Sequence, residues 1–134
     1  MSDHASVLFA NEAFYIAFAN KDLEAMTEVW AKVAAITCIH PGWLVLTDRD
    51  EVMASWEAIL VGPGSPEIFC EQAVAHVFGD TAYVICYEVV DRDTLLATNV
   101  FVRESRAWKM VHHQAGAAPP PPVEDDDPPP NMMQ

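Results

Sequence analysis

The sequence predicts an α+β fold in which three N-terminal helices pack against a curved, mostly antiparallel sheet. From Pro66 to Gly116 the chain has no helical stretch, and strand-like segments alternate with short breaks such as Gly79-Asp80. Before Pro66 it has the pattern of helices, apart from one short strand and a turn. Helices first and an antiparallel meander afterwards are typical of this class.

Three helices are expected in the first half of the chain. Residues 5–19 hold many aromatic and aliphatic side chains and few charges, which predicts a helix covered on both sides. Asp22 can cap a second helix, in which apolar residues recur at helical spacing as far as Trp30. A third helix is expected to begin at Thr47 or Asp48, in a segment that resembles a capping box.

One short strand and four long strands are expected. The short strand, residues 36–40, is β-branched and ends at the Pro41-Gly42 turn. Residues 43–46 are a candidate for a small return strand. The long strands are expected at about 66–78, 81–90, 95–103 and 107–115.

Composition divides the chain into a domain at residues 1–116 and a tail at residues 117–134. A length of 134 residues favours one domain, and 51% hydrophobic residues are enough for a core. The tail is rich in proline and acidic residues and has nothing to bury. It is therefore expected to be disordered or polyproline-like.

Charge and cysteine content exclude several classes of protein. Seven basic residues against 20 acidic ones give a net charge of −13, which would repel phosphate backbones and anionic lipids, so no nucleic-acid partner is expected. No signal peptide and no apolar stretch of roughly 18–20 residues is present, so no membrane span is expected. Cys38, Cys70 and Cys86 match no metal spacing and are expected to be buried free thiols. A cytoplasmic protein follows.

Polar side chains inside apolar strands are the first candidates for function. Glu88 follows the apolar run 83–87, and Asn99 directly precedes Val100-Phe101-Val102. A buried carboxylate or amide needs a partner, water or a cavity. Glu88 could serve a pocket, or it could pair with an arginine or a neighbouring subunit.

Only one of the two adjacent histidines near the end of the last strand can face the interior. His112 and His113 point to opposite faces because strand side chains alternate. Trp108 and Met110 share the parity of His112. The two large apolar side chains favour that parity as the inward one, so His112 is expected to enter a pocket.

Three helices, a strand ending in His40-Pro41-Gly42, and a meander closing on Trp108-x-x-x-His112-His113 resemble the nuclear transport factor 2-like superfamily. Within it, the chain is most similar to the SnoaL-like and ketosteroid-isomerase-like branch, over residues 5–116. The resemblance implies a cone-shaped fold with one deep apolar pocket. It also implies a homodimer through the outer sheet face, which suits strands 81–90 and 95–103 because both their faces are apolar.

The resemblance implies positions for catalytic residues as well. Ketosteroid isomerases use a tyrosine on the first helix, an aspartate before a proline, and an aspartic acid on a late strand. Tyr15, His40 and Asn99 occupy these positions here, so two of the three residue types differ. His40 is the candidate base at the lip of the pocket, with plain lining or packing as alternatives. Tyr15 and Asn99 are candidate donors to an enolate oxygen, although Tyr15 could equally be a core residue.

The remaining candidates complete a pocket for a small apolar or aromatic ligand. Glu88 or His112 would return the proton or orient the base. The residues expected to contact the ligand are Phe14, Trp43, Trp56, Phe101 and Met110. No short-spaced ligand motif supports a metal site of His40, His112 and Glu88, and no phosphate loop, nucleophile elbow or dinucleotide fingerprint is present, so no metal or cofactor is expected.

Two hypotheses for function follow. The first is a cofactor-independent isomerase, cyclase or dehydratase that works by proton transfer. The second is a non-catalytic ligand-binding or assembly module on the same scaffold. An enzyme requires His40 and at least one other polar candidate to converge on a common point.

Overall fold

The computed structural model describes residues 2–123 and confirms the predicted α+β class. The helices are α1 (Asp3–Ala19), α2 (Leu23–Val29) and α3 (Arg49–Val61). The strands are β1 (Thr37–Ile39), β2 (Phe69–Phe78), β3 (Thr81–Val90), β4 (Asp93–Glu104) and β5 (Ala107–Ala117). Among these described residues, no helix is long and apolar enough to cross a membrane.

The five strands form one sheet in the order β1-β5-β4-β3-β2. The four long strands pair antiparallel as a meander, and β1 adds to β5 in parallel. Register shifts interrupt the β2–β3 and β4–β5 pairings. Such bulges bend a strand and increase its twist, and this sheet curves around the helices.

Local signals at the starts of the helices were predicted with mixed success. Asp22 caps α2, since its carboxylate accepts a hydrogen bond from Ala25 N at 3.0 Å. Asp48 occupies the N-cap position of α3, but its side chain makes no capping hydrogen bond, so the capping-box prediction is wrong. The predicted return strand before α3 is reduced to a single bridge between Cys38 and Leu46.

A β-bulge in β5 decides which of the two histidines faces the helices. Adjacent residues of β4 pair with Met110 and His112, which leaves Val111 as an extra residue between them. The extra residue reverses the alternation of side chains, so His113 is buried with Met110 on the inner face. The prediction that His112 faces the interior is therefore wrong.

The core fills the space between the helices and the inner face of the sheet. Phe101 and Met110 were predicted to contact a ligand, but both are fully buried in this core. The segment after α2 closes over them, because Trp30 bridges to Met110 and Ala31 N donates to Met110 O at 2.9 Å. Phe101 pairs with Met110 in the β4–β5 register and is fully buried as well.

The first residues of the predicted tail form two hydrogen bonds with the sheet. Ala118 N donates a hydrogen bond to Thr94 O, and Gln72 Nε2 donates one to Pro122 O, each at 3.0 Å. These contacts lead the chain from the end of β5 towards the bulge in β2. The rest of the tail, including the acidic run 124–127, lies outside the described residues.

Candidate functional site

A mainly apolar cavity of about 350 Å³, called the inner cavity below, lies between the helices and the inner face of the sheet. Its apolar lining includes Phe14, Phe18, Trp43, Trp56, Ile59, Ile68 and Leu95. The buried side chains of His40, Glu88 and His113 line it as well. An apolar pocket with a few convergent polar groups is the usual form of a small-molecule site.

A second concavity, of about 550 Å³, runs along the outer side of α1 beside α2 and the start of β5. It is larger and shallower than the inner cavity. Its acidic and basic lining side chains, among them Asp22 and Lys109, are not buried. Because burial is what perturbs titratable groups, the inner cavity is the better candidate for chemistry.

Glu88 is a buried carboxyl group on β3, and Tyr15 of α1 is its direct partner. The Tyr15 hydroxyl donates a hydrogen bond to Glu88 Oε2 at 2.6 Å. Burial raises the pKa of Glu88, and the hydrogen bond from Tyr15 opposes this effect. The predicted alternative of an arginine partner is wrong for Arg103, which instead binds Asp3 and Asp80 at 2.9 and 3.1 Å.

Asn99 of β4 forms a hydrogen bond with the imidazole ring of His113 on β5. His113 Nδ1 lies 2.6 Å from Asn99 Oδ1. An amide oxygen can only accept, so Nδ1 carries a proton and donates a hydrogen bond to it. Nε2 is then the unprotonated nitrogen, and it lies 4.0 Å from Glu88 Oε2. Burial lowers the pKa of His113 to about 3, with smaller contributions from His40 and His112. The imidazole is therefore neutral at neutral pH.

His40 is buried in the inner cavity, contrary to the expected position at its lip. The Ser55 hydroxyl donates a hydrogen bond to Val52 O at 2.6 Å. Its oxygen lies 2.8 Å from His40 Nε2, so Nε2 carries a proton and donates a hydrogen bond to this oxygen. The rings of Trp43 and Trp56 pack edge-on against the imidazole of His40, and each ring centroid is 4.7 Å from the imidazole centroid. Burial lowers the pKa of His40 to about 4 and leaves Nδ1 unprotonated.

Tyr15 and Asn99 do not line the inner cavity, although both were predicted to donate to a ligand oxygen. Asn99 Nδ2 donates to Tyr15 Oη at 3.2 Å and to Asn11 Oδ1 at 2.8 Å. The hydroxyl proton of Tyr15 is engaged by Glu88. Their donors are thus committed to neighbouring side chains, and the two residues support Glu88 and His113 instead.

The structure therefore brings together only part of the predicted site. His40, Glu88, Phe14, Trp43 and Trp56 line the inner cavity as expected. His112 lies on the other side of β5, where its Nδ1 is 2.6 Å from Thr37 Oγ1. In the described part of the chain, no group of three His, Cys, Asp or Glu side chains is arranged to hold a metal ion.

Sequence reasoning missed His113, which lines the inner cavity, and also Asn11 and Ser55, which bind side chains of the site. His113 was assigned to the wrong face because no local feature of the sequence marks the bulge before it. Asn11 had a usable signal, since it lies four residues before Tyr15 and so shares its face of α1. A buried amide on that face requires a partner, and Asn99 is that partner.

Comparison with known proteins identifies the family. The model of the SnoaL-like domain matches residues 7–119, and the chain belongs to this family, within the nuclear transport factor 2-like superfamily. A proposed dehydratase of the NTF2-like family from Streptomyces avermitilis is 32% identical. The match covers 88% of this chain and 97% of that one, with a TM-score of 0.79.

Two other relatives are a solved structure and a curated protein. A proposed calcium/calmodulin-dependent protein kinase type II association domain from Thiobacillus denitrificans is 32% identical over 82% of this chain and 93% of its own, with a TM-score of 0.72. The F-box protein SKIP8 of Arabidopsis thaliana is 26% identical over 112 residues, or 82% of this chain. The chain spans about half the length of that curated relative, 48%.

Proposed function

We propose that this protein is a cofactor-independent enzyme that catalyses proton transfer on a small, mostly apolar molecule, as an isomerase, cyclase or dehydratase does. One observation carries the proposal. A carboxyl group with a raised pKa, Glu88, lies beside a histidine with a lowered pKa, His113, in one apolar cavity. Pairs of titratable groups whose pKa values are shifted in opposite directions are common in sites that hold a general acid and a general base.

The three titratable groups have different parts in this mechanism. Glu88 holds a proton and delivers it to an oxygen of the substrate. His40 takes a proton from carbon through Nδ1, while Ser55 holds its Nε2 side. His113 Nε2 accepts a hydrogen bond from the substrate oxygen or from the Glu88 carboxyl group. His40 and His113 are neutral, and burial shifts Glu88 towards its neutral form, so the cavity suits an uncharged substrate, because an ion would lose its hydration there.

The dehydratase branch of the proposal has support from the comparisons. In a dehydration, the oxygen that leaves as water must receive a proton, and Glu88 is placed to supply it. The Streptomyces avermitilis relative is itself named as a proposed dehydratase. Elimination of water from a β-hydroxy carbonyl compound is therefore the first reaction to test.

Filling the inner cavity should lower turnover. Leu95→Trp places a larger side chain into the cavity lining, whereas Leu44→Trp makes the same change at a side chain that is 89% exposed. Small cyclic and aryl β-hydroxy ketones and unsaturated ketones would be assayed for water loss by absorbance, and for exchange of α-hydrogen in D2O by mass spectrometry. We expect Leu95→Trp to lower turnover at least about tenfold, which corresponds to about 1.4 kcal/mol of activation free energy.

The control variant should behave as the wild type in the same assays. Equal turnover by the wild type and Leu95→Trp would place the reaction outside the inner cavity. Neither water loss nor exchange with any compound, together with no co-purifying small molecule by mass spectrometry, would favour the assembly function.

An assembly function is the second candidate, and the outer face of the sheet favours it. Four large apolar side chains there are substantially exposed, namely Phe69 (59%), Val74 (54%), Phe78 (63%) and Leu96 (41%). Large apolar side chains exposed on one face of a sheet favour contact with another protein. We propose that a second copy of the chain covers this face and forms a homodimer, which is compatible with either function.

A charge on the outer face should separate the copies. Val74→Asp introduces a carboxylate in the middle of β2 on that face, whereas Val33→Asp makes the same change in the loop after α2, at a side chain that is 90% exposed. Sedimentation at micromolar concentration should show a dimer for the wild type and Val33→Asp, and a monomer for Val74→Asp. A monomeric wild type would refute the homodimer.

We further propose that residues 1–116 form one domain and that the protein is cytoplasmic. The domain at residues 1–116 agrees with the family match to residues 7–119. A cytoplasmic location is supported by three free thiols at Cys38, Cys70 and Cys86, because disulfides are rare in reducing compartments.

A further inference from the structure

A chain of hydrogen bonds links α1 to the inner cavity through the amide of Asn99. Asn99 Nδ2 donates to Asn11 Oδ1 at 2.8 Å and to Tyr15 Oη at 3.2 Å. Asn99 Oδ1 accepts from His113 Nδ1 at 2.6 Å. Asn11, Asn99 and His113 are each at most 3% exposed, so water cannot freely replace these partners.

The orientation of the Asn99 amide and the tautomer of His113 are a single choice. The oxygen and nitrogen of an amide have similar size, so the hydrogen-bond partners decide which way it points. With Oδ1 towards His113, the imidazole must carry its proton on Nδ1. If the amide turned over, Nδ2 would point at His113, Nδ1 would have to accept, and the proton would move to Nε2.

Asn11 opposes the turned amide. In that orientation, Asn99 Oδ1 would lie against Asn11 Oδ1, and two acceptors would face each other. Turning Asn11 as well would remove its donation to Cys70 Sγ, which is now at 3.7 Å. Tyr15 acts in the same direction, because it can accept from Asn99 while it donates to Glu88 at 2.6 Å.

We propose that Asn11 is a positioning residue that fixes the Nδ1–H tautomer of His113 by holding the amide of Asn99. This tautomer leaves His113 Nε2 free to accept a proton or a hydrogen bond, 4.0 Å from Glu88 Oε2. A proton on Nε2 would turn the same atom into a donor and remove its basic function. The inference deepens the proposed acid–base function and, for its catalytic meaning, rests on it.

The tautomer can be observed without any substrate. Long-range ¹H–¹⁵N correlation spectra of the imidazole rings distinguish Nδ1–H from Nε2–H, and the His113 signals are assigned by their absence in His113→Asn. The wild type should show only Nδ1–H for His113. Asn11→Leu keeps the bulk of the side chain but removes its acceptor, so a mixture with the Nε2–H form should appear. His112, on the other face of β5, should keep its signals.

Glu12→Ala is the control, because it truncates the exposed neighbouring residue of α1 and leaves both hydrogen bonds of Asn11 in place. It should retain the Nδ1–H form. Should the leucine variant fail to fold, Asn11→Ala gives the same test, because a water molecule in the vacated space can donate as well as accept. A wild type with Nε2–H, or a folded Asn11 variant with only Nδ1–H, overturns the proposal.

Turnover separates this inference from the proposed function. Asn11 does not line the inner cavity, so Asn11→Leu should lower kcat and leave KM unchanged. A changed tautomer with unchanged kcat would keep Asn11 as the residue that positions His113, and would refute the use of His113 in catalysis.

Discussion

Glu88→Gln is expected to lower kcat by about 10²–10⁴-fold, the usual contribution of a positioned general acid or base. Glutamine has nearly the same shape as a protonated glutamic acid, and its amide oxygen can still accept the hydrogen bond from Tyr15. What it cannot do is give up a proton to the substrate. The loss should therefore appear in kcat, with little change in the fold.

The control for this prediction is Glu71→Gln, the same change at an exposed residue on β2. Its kcat should equal that of the wild type, and thermal unfolding should show that both variants are folded. A Glu88→Gln protein whose kcat stays within about threefold of the wild type would rule out Glu88 as the acid, since a positioned acid contributes far more.

The second large effect is on stability in acid, and it arises from His113. The unfolded chain binds a proton at this residue near pH 6.5, whereas burial lowers its pKa in the folded protein to about 3. Between these values the unfolded state binds the extra proton, so the free energy of unfolding falls as the pH falls. The difference between the two pKa values corresponds to a loss on the order of 5 kcal/mol in the free energy of unfolding as the pH falls from above 6.5 to below 3.

Comparison with His113→Asn isolates this contribution, because asparagine does not titrate and its amide can still donate to Asn99. Urea unfolding at intervals from neutral pH downwards should show the wild type losing stability more steeply than the variant. His40, with a pKa lowered to about 4, adds a loss of the same sign in both proteins. His112→Asn should retain the steep wild-type profile. Parallel profiles for wild type and His113→Asn would mean that the folded state admits the proton.

Glu88 acts on stability in the opposite sense. Its raised pKa means that the folded state keeps a proton above the pH at which the unfolded carboxyl group loses it. The stability gained in this way is present in acid and is lost as the pH rises through the folded pKa. Glu88 Oε2 lies 4.0 Å from His113 Nε2, so the two titrations are coupled, and the comparison is repeated in the Glu88→Gln background to remove the contribution of Glu88.

The order of the elements could be predicted from the sequence, because helix and strand periodicities are local. The bounds of β3 agree with the expected strand at 81–90, and Asp22 caps α2 as its residue type indicates. Glu88 was found because a polar residue among apolar neighbours can be recognised in the sequence, whereas His40 was placed by the resemblance, at the position before Pro41. Both reach the same cavity.

Other parts of the site depend on distances that the sequence does not contain. Asn11 and Asn99 are 88 residues apart in the chain, and Tyr15 and Glu88 are 73 apart. Whether a hydroxyl or an amide meets a ligand or another side chain depends on the packing of α1 against the sheet. For this reason the predicted oxyanion donors, Tyr15 and Asn99, prove to be hydrogen-bond partners of Glu88 and His113.

By itself, the sequence determined the α+β class, the order of the helices and strands, and Glu88 as a polar group buried in a strand, because these follow from local residue types. The resemblance carried by its motifs added His40. Only the tertiary structure decided that His113, and not His112, enters the inner cavity. One extra residue at Val111 reverses the alternation of β5, and its cause lies in the pairing with β4. A register is a property of two strands together, so neither strand alone reveals it.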